Sequence, residues 1–161
     1  MDYVEMICDL GGIEGLVDVP PGIEVVSLGG VDVADLYVEY VRAFSAGDAE
    51  FFPAQDESER REFFDTLGLE QAVNDSASHA LTSQDGLIGF TYVLPYGEAN
   101  RHISCMVIRP ELQGQGLGKL MLAIAQQRAG ADGARTLTLG TETAMRAYHL
   151  YRKHGFSVVT V

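Results

Sequence analysis

Three glycines at alternate positions, Gly114, Gly116 and Gly118, sit at the centre of a stretch that runs from Ile103 to Gly130. It reads as an apolar strand at 103–108, a turn opened by Arg109-Pro110-Glu111, a glycine loop, and a helix beginning inside that loop. The first N–H groups of a helix lack partners within it and stand at the positive end of its dipole. A loop that leaves them bare favours phosphate oxygens, and glycine lets the main chain approach such a ligand with no Cβ in the way. Spacing narrows the ligand. A Walker A loop needs glycine five residues ahead of Gly118-Lys119 and Ser or Thr after it, but Gln113 and Leu120 stand there. In a Gly-x-Gly-x-x-Gly fingerprint the third glycine falls on Lys119 counted from Gly114, and on Met121 counted from Gly116.

What fits is Gln-x-x-Gly-x-Gly, Gln113 to Gly118, after the strand end Val107-Ile108-Arg109-Pro110. A second pattern, Ala-x-x-Leu-Tyr-x-x-x-Gly-Phe, follows at Ala147, Leu150, Tyr151, Gly155 and Phe156, on a helix expected from Ala144 to His154. With one strand expected between them, the two resemble the acyl-CoA pyrophosphate loop and the second motif of the GNAT N-acetyltransferase superfamily. The resemblance covers roughly Ile23 to Phe156. It implies acetyl-CoA as co-substrate, held by Met106, Val107 and Ile108, by the loop residues Gln113, Gly114, Gln115, Gly116, Leu117, Gly118 and Lys119, and by Tyr148. No metal is implied. It also implies direct attack by a primary amine, with the tetrahedral oxygen held by a main-chain N–H of the central strand and proximity supplying much of the rate.

Two proton transfers then need side chains. The resemblance gives Tyr151 as donor to the leaving thiolate, with Tyr148 in reserve; a buried tyrosine that merely closes the helix onto the sheet is the plainer alternative. For the base, the chain offers His102 early on the central strand and Glu98 at the preceding turn. Histidine titrates in the right range, though a strand-start histidine that is simply hydrogen-bonded and exposed is the plainer reading; Glu142 can orient a water or bind a cationic substrate, and a water chain to bulk solvent would make all three unnecessary. Two departures stand out. Ala144 occupies a position where many members carry Asn, and only one short strand fits after Phe156 where the family usually has two. The exposed edge so created is expected to be covered by the N-terminal arm or by a partner subunit, as in a homodimer. The alternative to an enzyme is a GNAT-like acyl-CoA sensor or scaffold without turnover.

The elements that must position these residues follow from composition and pattern. The 161 residues, 47% apolar, suit one domain with a real core. No basic leader or long apolar run is present, so the protein is expected to be cytoplasmic with no membrane partner. Cys8 and Cys105 are expected as reduced structural thiols. Cys105 and His102, three apart on a strand, are expected on opposite faces. Of 23 acids, 18 lie in residues 1–75 with three arginines, whereas residues 76–161 carry five acids and eight bases. The basic half holds the phosphate loop, the acidic half argues against nucleic acid, and a cationic acceptor suits it as well as a solvated acidic surface does.

The expected architecture is α+β: a mixed, mostly antiparallel sheet with helices on both faces and splayed central strands, residues 21–161 forming one domain after an extension at 1–20. The extension carries a strand near Tyr3–Cys8, and Ile23–Leu28 begins the domain. Asp32 caps a helix with Leu36, Tyr37, Tyr40, Val41 and Phe44 inward; Asp56 and Glu59 start a second, closed by Gly68. Between them Asp48, Glu50, Phe51 and Phe52 either line the acceptor site, as the family suggests, or pack under a loop. Asp85-Gly86 joins two antiparallel strands at 78–84 and 87–94. Leu117, Leu120, Met121, Ile124 and Ala125 bury the helix after the glycine loop, Gly130 and Gly133 end it, and Thr136–Leu139 forms the strand before the last helix.

Overall fold

The computed structural model describes residues 2–13, 17–47 and 51–159. Seven strands form one sheet: β1 (Tyr3–Asp9), β2 (Glu24–Val26), β3 (His79–Ser83), β4 (Gly86–Pro95), β5 (Asn100–Ile108), β6 (Thr136–Glu142) and β7 (Phe156–Val158). Their order across the sheet is β2-β3-β4-β5-β6-β1-β7. Every neighbouring pair is antiparallel except β5 and β6, which run parallel and pair only from Asn100 to Ile103 against Thr136 to Leu139. Beyond that rung β5 continues to Ile108 and β6 to Glu142 without pairing, so the sheet opens between them.

Helices cover both faces. On one lie α1 (Val33–Ser45), α2 (Glu57–Asp65) and the single turn α3 (Leu69–Ala72), burying Leu36, Tyr40, Phe52 and Phe64 against Phe90, Tyr92, Cys105 and Val107. On the other lie α4 (Leu117–Ala131) and α5 (Arg146–Lys153). Their Leu122, Ala125 and Tyr151 pack on Met6, Ile103, Leu137 and Leu139, and Leu117, Leu120 and Met121 pack on Leu81, Ile88 and Ile108. The start signals act as their chemistry requires. Asp32 accepts from Ala34 N at 3.0 Å, and Asp56 and Glu59 close a reciprocal capping box at 2.8 and 3.0 Å.

The strand expected near Tyr3–Cys8 is present as β1, which pairs with β6 on one side and β7 on the other, so the N-terminal arm supplies the strand beside β6. Three expectations need correction. The first strand of the domain is only Glu24–Val26, because a one-turn helix at Leu28–Gly30 interrupts the run. Gly68, with φ +86°, starts α3 instead of closing α2, which ends at Asp65. Gly130 lies within α4, and Gly133, at φ +91°, follows its end.

Candidate active site

The glycine loop leaves β5 through Arg109 and a one-turn helix at Pro110–Leu112, and delivers the chain to α4 at Gly116. Gly114 and Gly116 take φ of +84° and +82°, a region that favours glycine, and a Cβ on either would meet nothing within 4 Å. Gly116 is the N-cap of α4, and no side chain caps it. Gln113 turns away, its Nε2 donating to the Ile108 carbonyl at 3.2 Å. The first N–H groups of this 15-residue helix therefore carry no side-chain cap, and Lys119 is exposed beside them. Gly118 serves differently: a Cβ there would come within 3.3 Å of Leu150, so its bareness lets α5 close on α4. Leu117 and Val107 bury their side chains and can offer only main chain to a ligand. Met106 is half-buried on the α4–α5 face, and Ile108 is buried on the same side.

The loop stands above the opening between β5 and β6, and titratable groups gather at the rung where the opening starts. Tyr151 is 8% exposed among Ile103, Leu139 and Phe156. Burial, with the nearby Cys105 thiol, raises its phenol pKa well above the ordinary value. Among the described residues its hydroxyl has no hydrogen bond, yet it is not sealed from the surface as those of Tyr40 and Tyr92 are. Tyr148 is half-buried on the same core cluster, with Arg152 Nη1 3.5 Å from its hydroxyl. Ala144 lies in the turn before α5, whose N-cap is Met145, so the helix begins two residues later than expected.

His102 occupies the opposite face. Its Nδ1 lies 2.8 Å from Thr138 Oγ1, and its ring lies tilted against that of Tyr96, centroids 5.2 Å apart. The Thr138 hydroxyl also lies 3.4 Å from the Arg101 carbonyl; when it donates there it accepts from Nδ1–H, the tautomer that leaves the lone pair on Nε2. Burial lowers the His102 pKa, with Glu5 opposing. Glu142 is 8% exposed at the far end of β6, and Glu98 is in the turn before β5.

The expectation that His102 and Cys105 face apart fails for a local reason. Cys105 stands opposite Tyr92 and Ile103 opposite Val93, so Ser104 is an extra residue that reverses the alternation. Cys105 is buried and its thiol pushed up to about 12, which leaves it inert. Phe52 is 1% exposed under the Arg60 guanidinium, and Phe51 packs on Phe44 and Phe63; Asp48 and Glu50 lie outside the described residues. Pattern reading missed an ionic tie between α1 and the entry to the loop. Arg42 bonds Glu111 at 2.9 Å and Glu39 at 3.0 Å, and Arg109 approaches Glu39 at 3.4 Å. Glu39 and Arg42, three apart on α1, were the available signal. The described residues hold no group of three or more metal-ligating side chains, and no described helix is long and apolar enough to cross a membrane.

The family model for the acetyltransferase (GNAT) domain matches residues 74–158, just over half of the chain. The chain belongs to the GNAT acetyltransferase family. Among solved structures, a GCN5-related N-acetyltransferase from Sphaerobacter thermophilus superposes with a TM-score of 0.73 at 17% identity, covering 98% of this chain and 48% of that one. The chain thus spans about half the length of that relative. The PaiA N-acetyltransferase of Thermoplasma acidophilum, in complex with coenzyme A, gives 0.67 at 16% identity over 86% of this chain and 92% of its own. A protein of Pyrococcus horikoshii gives 0.68 at 19% identity, over 86% and 91%. At these identities the structures share the GNAT fold with this chain. No curated protein matches the sequence.

Proposed function

We propose that this GNAT domain transfers an acetyl group from acetyl-CoA to a primary amine. The observation that carries the reading is the opening of the sheet beyond Ile103 and Leu139, below a bare helix N-terminus and between a protonated phenol on one face and a neutral imidazole on the other. The uncapped start of α4 and Gly114–Gly116 fit a pyrophosphate, and the unpaired edge of β5 offers main-chain groups to an amide-bearing arm, as in strand addition. Bound acetyl-CoA supplies the activated acyl group. His102, its pKa lowered and its Nε2 holding the lone pair, takes the proton of the amine. Tyr151 stays protonated across the physiological range and gives its proton to the leaving thiolate.

The test is calorimetric titration with acetyl-CoA, followed by a panel of amines and measurement of free CoA thiol. Binding at micromolar levels with thiol release for some amines supports the transferase. Binding without release across the panel turns the assignment to a sensor, and no binding contradicts the reading of the loop. Replacing Gly116 with Val is expected to weaken acetyl-CoA at least tenfold, since both the left-handed φ and the open space are lost.

A further inference from the structure

β1 does more than complete the sheet. Tyr3, Glu5 and Ile7 alternate with Val4, Met6 and Cys8, whose side chains enter the core under α4 and α5. Tyr3 and Glu5 therefore stand on the other face, the one that also carries His102 and Thr138. The described helices of that face, α1, α2 and α3, pack over Phe90, Tyr92, Cys105 and Val107, which belong to β4 and β5. The part of the face formed by β6 and β1 is left beside the opening, and Tyr3 is 71% exposed there.

The Tyr3 ring leans diagonally from its partner Glu142 to lie over Gly140. A Cβ at Gly140 would overlap the Tyr3 hydroxyl and come within 2.5 Å of ring carbon Cζ. Glycine at this strand position thus admits the phenol against the sheet, which explains why the hydroxyl end is desolvated although the ring as a whole is open. That desolvation, followed by Glu5 and Glu142, raises the Tyr3 pKa, and Glu5 also acts on His102. In the sheet register Tyr3 and Glu5 stand opposite Glu142 and Gly140, just past the last β5–β6 rung at Leu139, and His102 stands opposite Thr138 just before it, so these side chains share one face at the start of the opening.

We infer that Tyr3 and Glu5, brought by β1 beside β6, form the acceptor side of the active site and select an amine that carries a second positive charge. This rests on the transferase reading above, since the opening is where the amine and the acyl group must meet. The carboxylate of Glu5 faces the distal ammonium while the reacting nitrogen lies toward His102, and the Tyr3 hydroxyl offers a neutral donor and acceptor between them.

The experiment compares three four-carbon amines, 1,4-diaminobutane, n-butylamine and 4-aminobutanoate, on the wild-type chain and on Glu5→Gln, Glu5→Lys and Tyr3→Phe, with acetyl-CoA affinity and urea midpoint measured alongside. The wild type is expected to prefer the diamine through KM. Glu5→Gln should cut that preference, read as the ratio of kcat/KM for the diamine to that for n-butylamine so that any effect on His102 cancels, roughly fivefold with acetyl-CoA affinity held; Glu5→Lys should reverse it toward 4-aminobutanoate, and Tyr3→Phe should raise KM for the diamine. Turnover in the wild type with a preference indifferent to all three substitutions would overturn this inference and leave the transferase standing. Absence of acetyl-CoA binding or of turnover would instead overturn the reading on which it rests. An unchanged urea midpoint for the exposed Glu5 variants separates selectivity from folding.

Discussion

At Tyr151 and His102 the same physical cause has opposite consequences. Burial disfavours the charged form of either group, so the phenol keeps its proton and the imidazole gives its proton up. Replacing Tyr151 with Phe is expected to lower kcat by about two orders of magnitude, the usual worth of a positioned general acid, while acetyl-CoA affinity stays within twofold. A fall in affinity with kcat intact would assign Tyr151 to packing. His79 shows what burial does away from the site. It is fully buried, with Nδ1 at 2.9 Å from the Ala77 carbonyl, no partner on Nε2, and a pKa pushed down to about 4. Between about 4 and 6.5 the unfolded chain binds this proton and the native chain does not, so stability is full above 6.5 and falls as the pH drops toward 4. The loss amounts to roughly 3 kcal/mol. Urea unfolding of His79→Gln should show a shallower decline over that window, and an identical pH profile would contradict the assignment. Tyr151 was legible because its spacing to Gly155 and Phe156 is a sequence pattern. The face of His102 was not, because the extra Ser104 is fixed by how β5 pairs with β4 and leaves no mark in the local alternation.

Among the elements, β1 shows why register outruns periodicity. Its alternation of Met6 and Cys8 with Glu5 and Ile7 reads as a half-buried strand, but nothing local tells which strands will flank it; that depends on an unsatisfied β6 edge some 130 residues on. Met6 and Cys8 are buried at 0 and 3% exposure, so the arm belongs to the core. Met6→Ala is expected to destabilise the chain by about 2–5 kcal/mol, read from the urea midpoint. A change under 0.5 kcal/mol would mean that β1 is a detachable arm. The helix caps were legible because a capping box is a contact between residues three apart. Asp56→Ala should cost about 1 kcal/mol in the same assay with the acetyl-CoA affinity unaltered. By contrast, Gly68 is a stop in sequence terms and a start in the fold, since a left-handed residue suits either end of a helix.

On the scale of the molecule, the charge imbalance between the two halves of the sequence becomes an imbalance between the two faces of the sheet. Neither α4 nor α5 contains an acid, and between them they carry Lys119, Arg128, Arg146, Arg152 and Lys153. The opposite face bears α1, α2 and α3, with Asp35, Glu39, Glu57, Glu59, Glu62, Asp65 and Glu70 against Arg42, Arg60 and Arg61. An anionic donor and a cationic acceptor would thus approach from opposite sides and meet where β5 and β6 part, and raising the salt concentration should weaken both. This asymmetry was visible as a sum over residues, but its geometric meaning required knowing which helices share a face. The measurement that bears most directly on this account follows free CoA thiol and the mass of the amine together, after acetyl-CoA and 1,4-diaminobutane are added to the purified chain. The account predicts thiol release matched by an equal amount of acetylated diamine, and slowed about a hundredfold in Tyr151→Phe. Thiol release with no acetylated amine, or no release from a chain that binds acetyl-CoA, would contradict it.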